Sequence, residues 1–293
     1  MRQPEEQPET PALMADTPAE LSPSLRAELR LLTPARIALR RTGISLATSE
    51  VLDFQLAHGR ARDAVHAALQ PATLIPGLQH LTHSDPILLH SAASDRPTYL
   101  KRPDLGRKLS ESSRKRLEDL ANPECDLVIV LADGLSALAV ERNAGPLLAK
   151  LLPAIPYLKL APICIVEQGR VAVGDEIANL LRASLVIVLI GERPGLSSPD
   201  SLGAYITWQP QPGRTTDAER NCISNIRAEG LSYPEASARL LHYIREAREK
   251  RLTGIALKDP DENTLQLDGG SRGLEPPESG SAETGPSGPD SAN

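Results

Sequence analysis

Residues 191–195, Gly-Glu-Arg-Pro-Gly, set an acid and a base between two glycines at the end of an apolar run. The run itself, Ser184 to Ile190, reads as a strand buried on both faces. In an open α/β sheet, the loop leaving the carboxyl end of a parallel strand is where ligands bind. The glycines permit close approach to the backbone, and Glu192 and Arg193 offer an acceptor and a donor at the rim. Asp133-Gly134 and Gly169-Arg170-Val171 follow other apolar runs, and with segment 221–226 they are expected to line the same crevice. A helix beginning near Ser136 would turn its free amides into it. The chemistry these residue types support is recognition of a polar ligand.

The patterns that would add bond cleavage are absent. There is no GxGxxG dinucleotide fingerprint, no Walker-type phosphate loop and no GxSxG nucleophile elbow. The histidines at 58, 66, 80, 83, 90 and 242 lack metal-ligand spacing and read as surface or helix-packing residues. Arg220 lies close enough in sequence to lower the pKa of Cys222, but the cysteine is read as a pocket-lining or buried thiol rather than a nucleophile. The basic stretch Lys101 to Arg116 reads as a solvated face, with an acid-binding patch as the alternative. A crevice without an acid–base pair or nucleophile suits a subunit that holds a cofactor while another chain does the chemistry.

The elements that must position these loops follow from periodicity. Residues 23–70 read as helical. Ser24 is the expected cap of a first helix, Thr33-Pro34 opens a second that Gly43 closes, and Thr48 caps a third. Val51, Phe54, His58, Ala61, Val65 and Leu69 form the apolar stripe of that third helix. Residues 71–110 read as an ordered, irregular connection, long enough to point to a partner that holds it. Beyond Cys125, strands at 126–131, 163–166, 184–190 and 205–208 alternate with helices at about 136–152, within 169–183 (a turn, then GDEIANLLRA) and at 233–251, with Gly145-Pro146 as an expected break. The expected fold class is α/β, a mostly parallel sheet with helices on both faces, preceded by a helical amino-terminal region. The expected division is a disordered 1–22, a helical region and connecting segment 23–110, an α/β domain 111–257, and a disordered acidic tail 258–293.

Composition narrows the classes of function. Of 293 residues, 40% are hydrophobic and only 2% aromatic, so the core is aliphatic and stacking platforms for single-stranded nucleic acid are few. Eight acids and one arginine lie after residue 258, and five acids and one arginine before residue 23. The intervening chain is therefore mildly basic although the whole chain carries −6, which suits a phosphate-bearing ligand or an acidic partner surface rather than a nucleic-acid stripe. Cys125, Cys164 and Cys222 are an odd, scattered set without a disulfide or zinc framework. No signal-peptide pattern and no membrane-length apolar run occurs, so a cytoplasmic protein with no membrane or nucleic-acid partner is expected.

Six blocks in order, TPARIALRRTG, LDFQLAHGRARDAVHAAL, VIVLADGLSA, GRVAVGDEI, VLIGERPGLSSPDSLGAY and ERNCISNI, together resemble the small (light) subunit of ethanolamine ammonia-lyase over about residues 25–257. The resemblance implies a Rossmann-like subunit of an adenosylcobalamin-dependent radical enzyme that converts ethanolamine to acetaldehyde and ammonia. It implies a large-subunit partner, a (β/α)₈ barrel carrying most of the radical machinery, within a higher hetero-oligomer. The family's cobalamin contacts fall on Val171 in GRVAV, Glu192 in GERPG and Cys222 in NCISN, with no catalytic residue and no metal ligand on this chain. Arg170 and Arg193 are added here as partners for corrinoid amide oxygens or the nucleotide phosphate. The D-x-H-x-x-G signature that replaces the cofactor's own base is absent: Asp63-Ala64-Val65-His66 does not match it. The acidic carboxyl extension has no counterpart in the resemblance. The family's amino-terminal segment can direct it to a bacterial microcompartment, and residues 1–22 lack a clear amphipathic helix for that role. The competing reading is a non-catalytic α/β nucleotide- or small-molecule-binding module that regulates or scaffolds a partner.

Overall fold

The computed structural model describes residues 22–33, 35–120 and 124–257. The expected disorder of the two acidic ends lies outside the described residues, Ser22 excepted. The Ser22 hydroxyl accepts from the Leu25 amide (3.2 Å) and Pro23 fills the first turn of α1 (Pro23–Leu31), so the cap is Ser22 and not Ser24. The helix expected after Thr33 is absent from the described residues. Instead β1 (Arg41–Thr42) and β2 (Ser45–Leu46) pair as a hairpin. Gly43, at φ 60°, makes its turn rather than closing a helix. Thr48 is the first residue of α2 (Thr48–His66), which has no side-chain cap. Of its apolar stripe, Val51 and Phe54 stay exposed, and burial arrives only at Leu69.

The stretch read as irregular is mostly regular. It holds α3 (Pro71–Thr82), β3 (Ile87–His90) and α4 (Arg96–Lys101), followed by α5 (Glu111–Glu118). Its prolines mislead for a physical reason: Pro71 and Pro97 sit in first turns, where no amide is required. Asp95 caps α4 by accepting from the Thr98 amide (2.8 Å).

The remaining elements are β4 (Cys125–Ala132), α6 (Ala137–Leu151), β5 (Cys164–Glu167), α7 (Val173–Leu180), β6 (Ala183–Gly191), β7 (Leu202–Trp208), β8 (Asn221–Ile226) and α8 (Tyr233–Lys250). Six strands form one sheet in the order β3-β5-β4-β6-β7-β8. Its first four strands are parallel, and β7 and β8 are antiparallel additions. The fold class is therefore as expected, with helices on both faces. Strand alternation divides two cores. Leu127, Ile129, Leu131, Ile187 and Leu189 face α3, α6 and α8. Val128, Val130, Val186 and Val188 face the side of α5 and α7. The expected break at Gly145-Pro146 does not occur. Pro146 costs α6 one rung, at the Arg142 carbonyl, and burial of Ala144, Leu147, Leu148 and Leu151 holds the helix continuous.

A buried ion pair fastens the antiparallel strands to α7. Arg220 donates two hydrogen bonds of 2.7 Å to the Asp175 carboxylate and one of 3.0 Å to the Thr207 hydroxyl. Burial outweighs the guanidinium and raises the Asp175 carboxyl above its ordinary value. Such a pair contributes little net stability, but removing one partner strands a charge in the core. Asp175→Ala is expected to cost about 3–5 kcal/mol in urea denaturation, and replacing both residues by apolar side chains of similar volume is expected to recover most of it. Equal stabilities for the single variant and wild type would contradict this account.

Candidate functional site

The chain leaves β4 to form β5 on one side of it and then β6 on the other. That reversal opens a crevice beyond the carboxyl ends of the strands. The cavity there measures about 490 Å³. Arg170, Val171, Glu192 and Arg193 all line it, together with Tyr99 and Tyr205. Cys222 is not in its wall but lies opposite Tyr205 in the β7–β8 register. Four of the five expected residues are thus neighbours in one crevice, and the fifth adjoins it through Tyr205. Among the described residues, no three His, Cys, Asp or Glu side chains group as metal ligands.

Asp133, fully buried at the end of β4, organises the loops. Its two carboxylate oxygens accept from the Gln168 and Gly169 amides, each at 2.9 Å. The Arg96 guanidinium lies 3.5 Å away and also donates to the Gly134 carbonyl (2.9 Å) and, through Nε, to the Val65 carbonyl at the end of α2 (2.7 Å). One carboxylate therefore ties β4, the β5 loop and α4 together. Burial is the largest influence on it and raises its pKa from 3.8 to about 6, against the opposing amides and Arg96.

The glycines expected to admit a ligand serve the protein's own packing. Gly134 has φ 56°, and a Cβ on it would come within 2.3 Å of the Gly191 carbonyl oxygen. A Cβ on Gly191 would meet the Ser136 carbonyl oxygen at 2.0 Å. The start of α6 is likewise used internally. The Leu135 amide donates to the Gly191 carbonyl (2.9 Å), and the Ser136 hydroxyl caps the Ala139 amide (3.2 Å) while donating to the Pro199 carbonyl (2.8 Å). The Leu135 amide and the Ser136 hydroxyl thus fix the 191–201 loop. Asn143 and Arg142 hold the far end of that loop at Asp200. Glu192 is anchored by the Ser201 hydroxyl and the Asn225 amide (3.2 Å).

Three contributors were not legible as site residues. Tyr99 carries two guanidinium groups over its ring, Arg96 at 4.8 Å and Arg170 at 4.5 Å from the ring centre. Burial pushes its hydroxyl up to about 12, and it donates to the Gly169 carbonyl (3.2 Å). Tyr205 and Arg107 complete the wall. Asp95-Arg96-Pro97 was an available helix-start signal for α4, but nothing in sequence ties Tyr99 to Arg170. The Arg170 Nε is buried without a hydrogen-bond partner among the described residues. Arg220 does not activate Cys222, because its guanidinium is committed to Asp175. Cys222 is exposed and outside the cavity wall, so it is not the pocket-lining or buried thiol expected. Desolvation first, and the Glu192 carboxylate after it, raise its thiol, which speaks against a nucleophile.

The Asp133 carboxyl gives the site a pH signature. With its folded pKa above its unfolded one, the folded state binds the extra proton between about pH 4 and pH 6. Stability contributed by this group is full below that window and is lost as pH rises through it, by up to about 1.4 kcal/mol per pH unit. Urea denaturation should find wild type gaining on Asp133→Asn between about pH 6.5 and pH 4.5. A difference independent of pH would refute the assignment.

The family model for the ethanolamine ammonia-lyase light chain (EutC) matches residues 24–258. Relatives named ethanolamine ammonia-lyase small subunit agree with it. The one from Xanthomonas campestris pv. campestris is 56% identical over 244 residues, covering 82% of this chain and 89% of the relative. That from Pseudomonas aeruginosa strain UCBPP-PA14 is 57% identical over 239 residues, covering 80% and 87%. That from Azotobacter vinelandii is 57% identical over 251 residues, covering 84% and 92%. With the match spanning the crevice and every element that builds it, the chain belongs to the ethanolamine ammonia-lyase light chain family.

Proposed function

We propose that this chain is the small subunit of an adenosylcobalamin-dependent ethanolamine ammonia-lyase, a carbon–nitrogen lyase, and that its crevice holds part of the cofactor against a large subunit. The observation that carries this reading is the convergence of Arg170, Val171, Glu192 and Arg193 on one crevice, with Cys222 beside it. The residues suit a corrinoid. Its flat apolar ring and amide rim call for apolar and aromatic walls interrupted by donors and acceptors. Val171, Ile190 and Tyr205 supply the former, and Arg170, Arg193 and Glu192 the latter. When bound, adenosylcobalamin supplies a carbon radical by homolysis of its cobalt–carbon bond. This chain's part is to bind, orient and shield from water.

A cofactor as large as cobalamin exceeds a crevice of about 490 Å³, so a second surface must cover the rest. The amino-terminal region offers one place for that partner. Leu31 (87% exposed), Ile44 (98% exposed), Leu52, Phe54 and Leu56 stand uncovered on α1, the β1–β2 hairpin and α2. Residues 23–110 would make that contact while 111–257 carry most of the cofactor crevice. Arg96 joins the two, since it contacts both Val65 and Gly134. No helix among the described residues is long and apolar enough to cross a membrane.

Mixing this chain with a large subunit, adenosylcobalamin and ethanolamine should yield acetaldehyde only when both chains are present. Tight binding of a nucleotide by this chain, with the large subunit left inactive, would favour a regulatory module instead. Glu192→Ala and Arg193→Ala should each weaken corrinoid uptake, followed by visible absorption, on the order of tenfold while leaving subunit assembly intact. Equal loss of uptake and assembly would make the loop structural only.

A further inference from the structure

We propose that Arg107 and Arg170 form an anion subsite where the crevice meets a second cavity, and that the anion is the phosphodiester of the corrinoid's nucleotide arm. The proposal rests on the cofactor reading above. The second cavity measures about 670 Å³ and shares Arg107, Ala172 and Asp217 with the crevice. The two are therefore adjoining bays, with Arg107 at their junction.

The backbone builds this juxtaposition. The Arg170 amide donates to the Gly106 carbonyl (2.8 Å). A Cβ on Gly106 would stand 3.1 Å from the Arg170 Cγ and 3.0 Å from the Tyr99 ring. The turn carrying Arg107 is thus pressed against the stem of Arg170.

The charge balance points the same way, because most carboxylates facing the two bays are already engaged, although Arg220 serves both Asp175 and the exposed Asp217. Asp104 pairs with Arg102 (2.7 Å), Asp175 with Arg220 (2.7 Å), and Asp217 lies 3.5 Å from the Arg220 Nε. Glu176 takes Arg114 and the Leu109 amide, and Glu192 takes Ser201 and the Asn225 amide. Arg107 has no ion pair or side-chain hydrogen bond among the described residues, and its neighbour Lys108 adds another uncommitted charge. Surplus guanidinium charge at the junction of two bays fits a phosphate oxygen pair better than neutral amides, because planar donors match that geometry.

The test compares two corrinoids on the full chain assembled with its large subunit. Cyanocobalamin carries the phosphodiester and nucleotide, and dicyanocobinamide lacks both. Arg107→Ala, at an exposed position, should lower affinity for cyanocobalamin on the order of tenfold and leave affinity for dicyanocobinamide unchanged, both read by absorption titration. Equal losses for the two corrinoids, or no loss for either, would overturn the subsite while leaving the cofactor reading standing. Tight, Arg107-dependent uptake of adenosine monophosphate in place of that difference would overturn it in favour of a free nucleotide. A wild-type assembly that takes up neither corrinoid would overturn the cofactor reading and the subsite with it.

Discussion

A carboxylate removed from water must find donors on every side, and Asp133 imposes that demand at the centre of the molecule. It sits at the end of β4, in the middle of the sheet, with no exposed surface. Meeting its demand brings the Gln168 and Gly169 amides and the Arg96 guanidinium to one point. Arg96 in turn reaches the end of α2 and packs on Tyr99, whose ring also carries Arg170. The crevice wall is therefore an outward extension of one buried charge, and its side chains are held before any ligand arrives.

Rigidity of that kind suits a half-site. The 191–201 loop is fastened at both ends, by Gly134 and Leu135 near its start and by Asn143 and Arg142 near its finish. Glu192 is held by Ser201, just before β7, and by Asn225 of β8 rather than left to swing. A ligand is best held by a surface that does not rearrange, because ordering costs are then met on folding rather than on binding. The leucines of α2 stay uncovered.

Much of the sheet was legible. DLVIVL and SLVIVLI are short, apolar and β-branched, and runs of that kind bounded by glycines fit central parallel strands and little else. The α8 face of Ala236, Leu240, Tyr243, Ile244 and Ala247 is buried throughout, as its spacing required. The stretch 71–110 was not legible. A four-residue strand such as β3 has too few residues to show a period, and helix-starting prolines look the same as loop prolines. The exposed half of the α2 stripe shows the converse, since periodicity marks a face to be covered without saying by what.

For the site, the sequence by itself determined which loops bear chemistry, because a loop's chain neighbours reveal that it leaves a strand end. It also settled the absence of the common nucleophile and phosphate-loop patterns. Only the tertiary structure decided how those loops are used. It committed Arg220 to Asp175 instead of Cys222, gave Gly134 and Gly191 to each other, brought Tyr99 from a region with no site signal, and drew Arg107 out of a basic stretch read first as a solvated face. The reason is physical. A side chain's charge state and partner depend on which groups share its dry surroundings, and that company is assembled from segments dozens of residues apart.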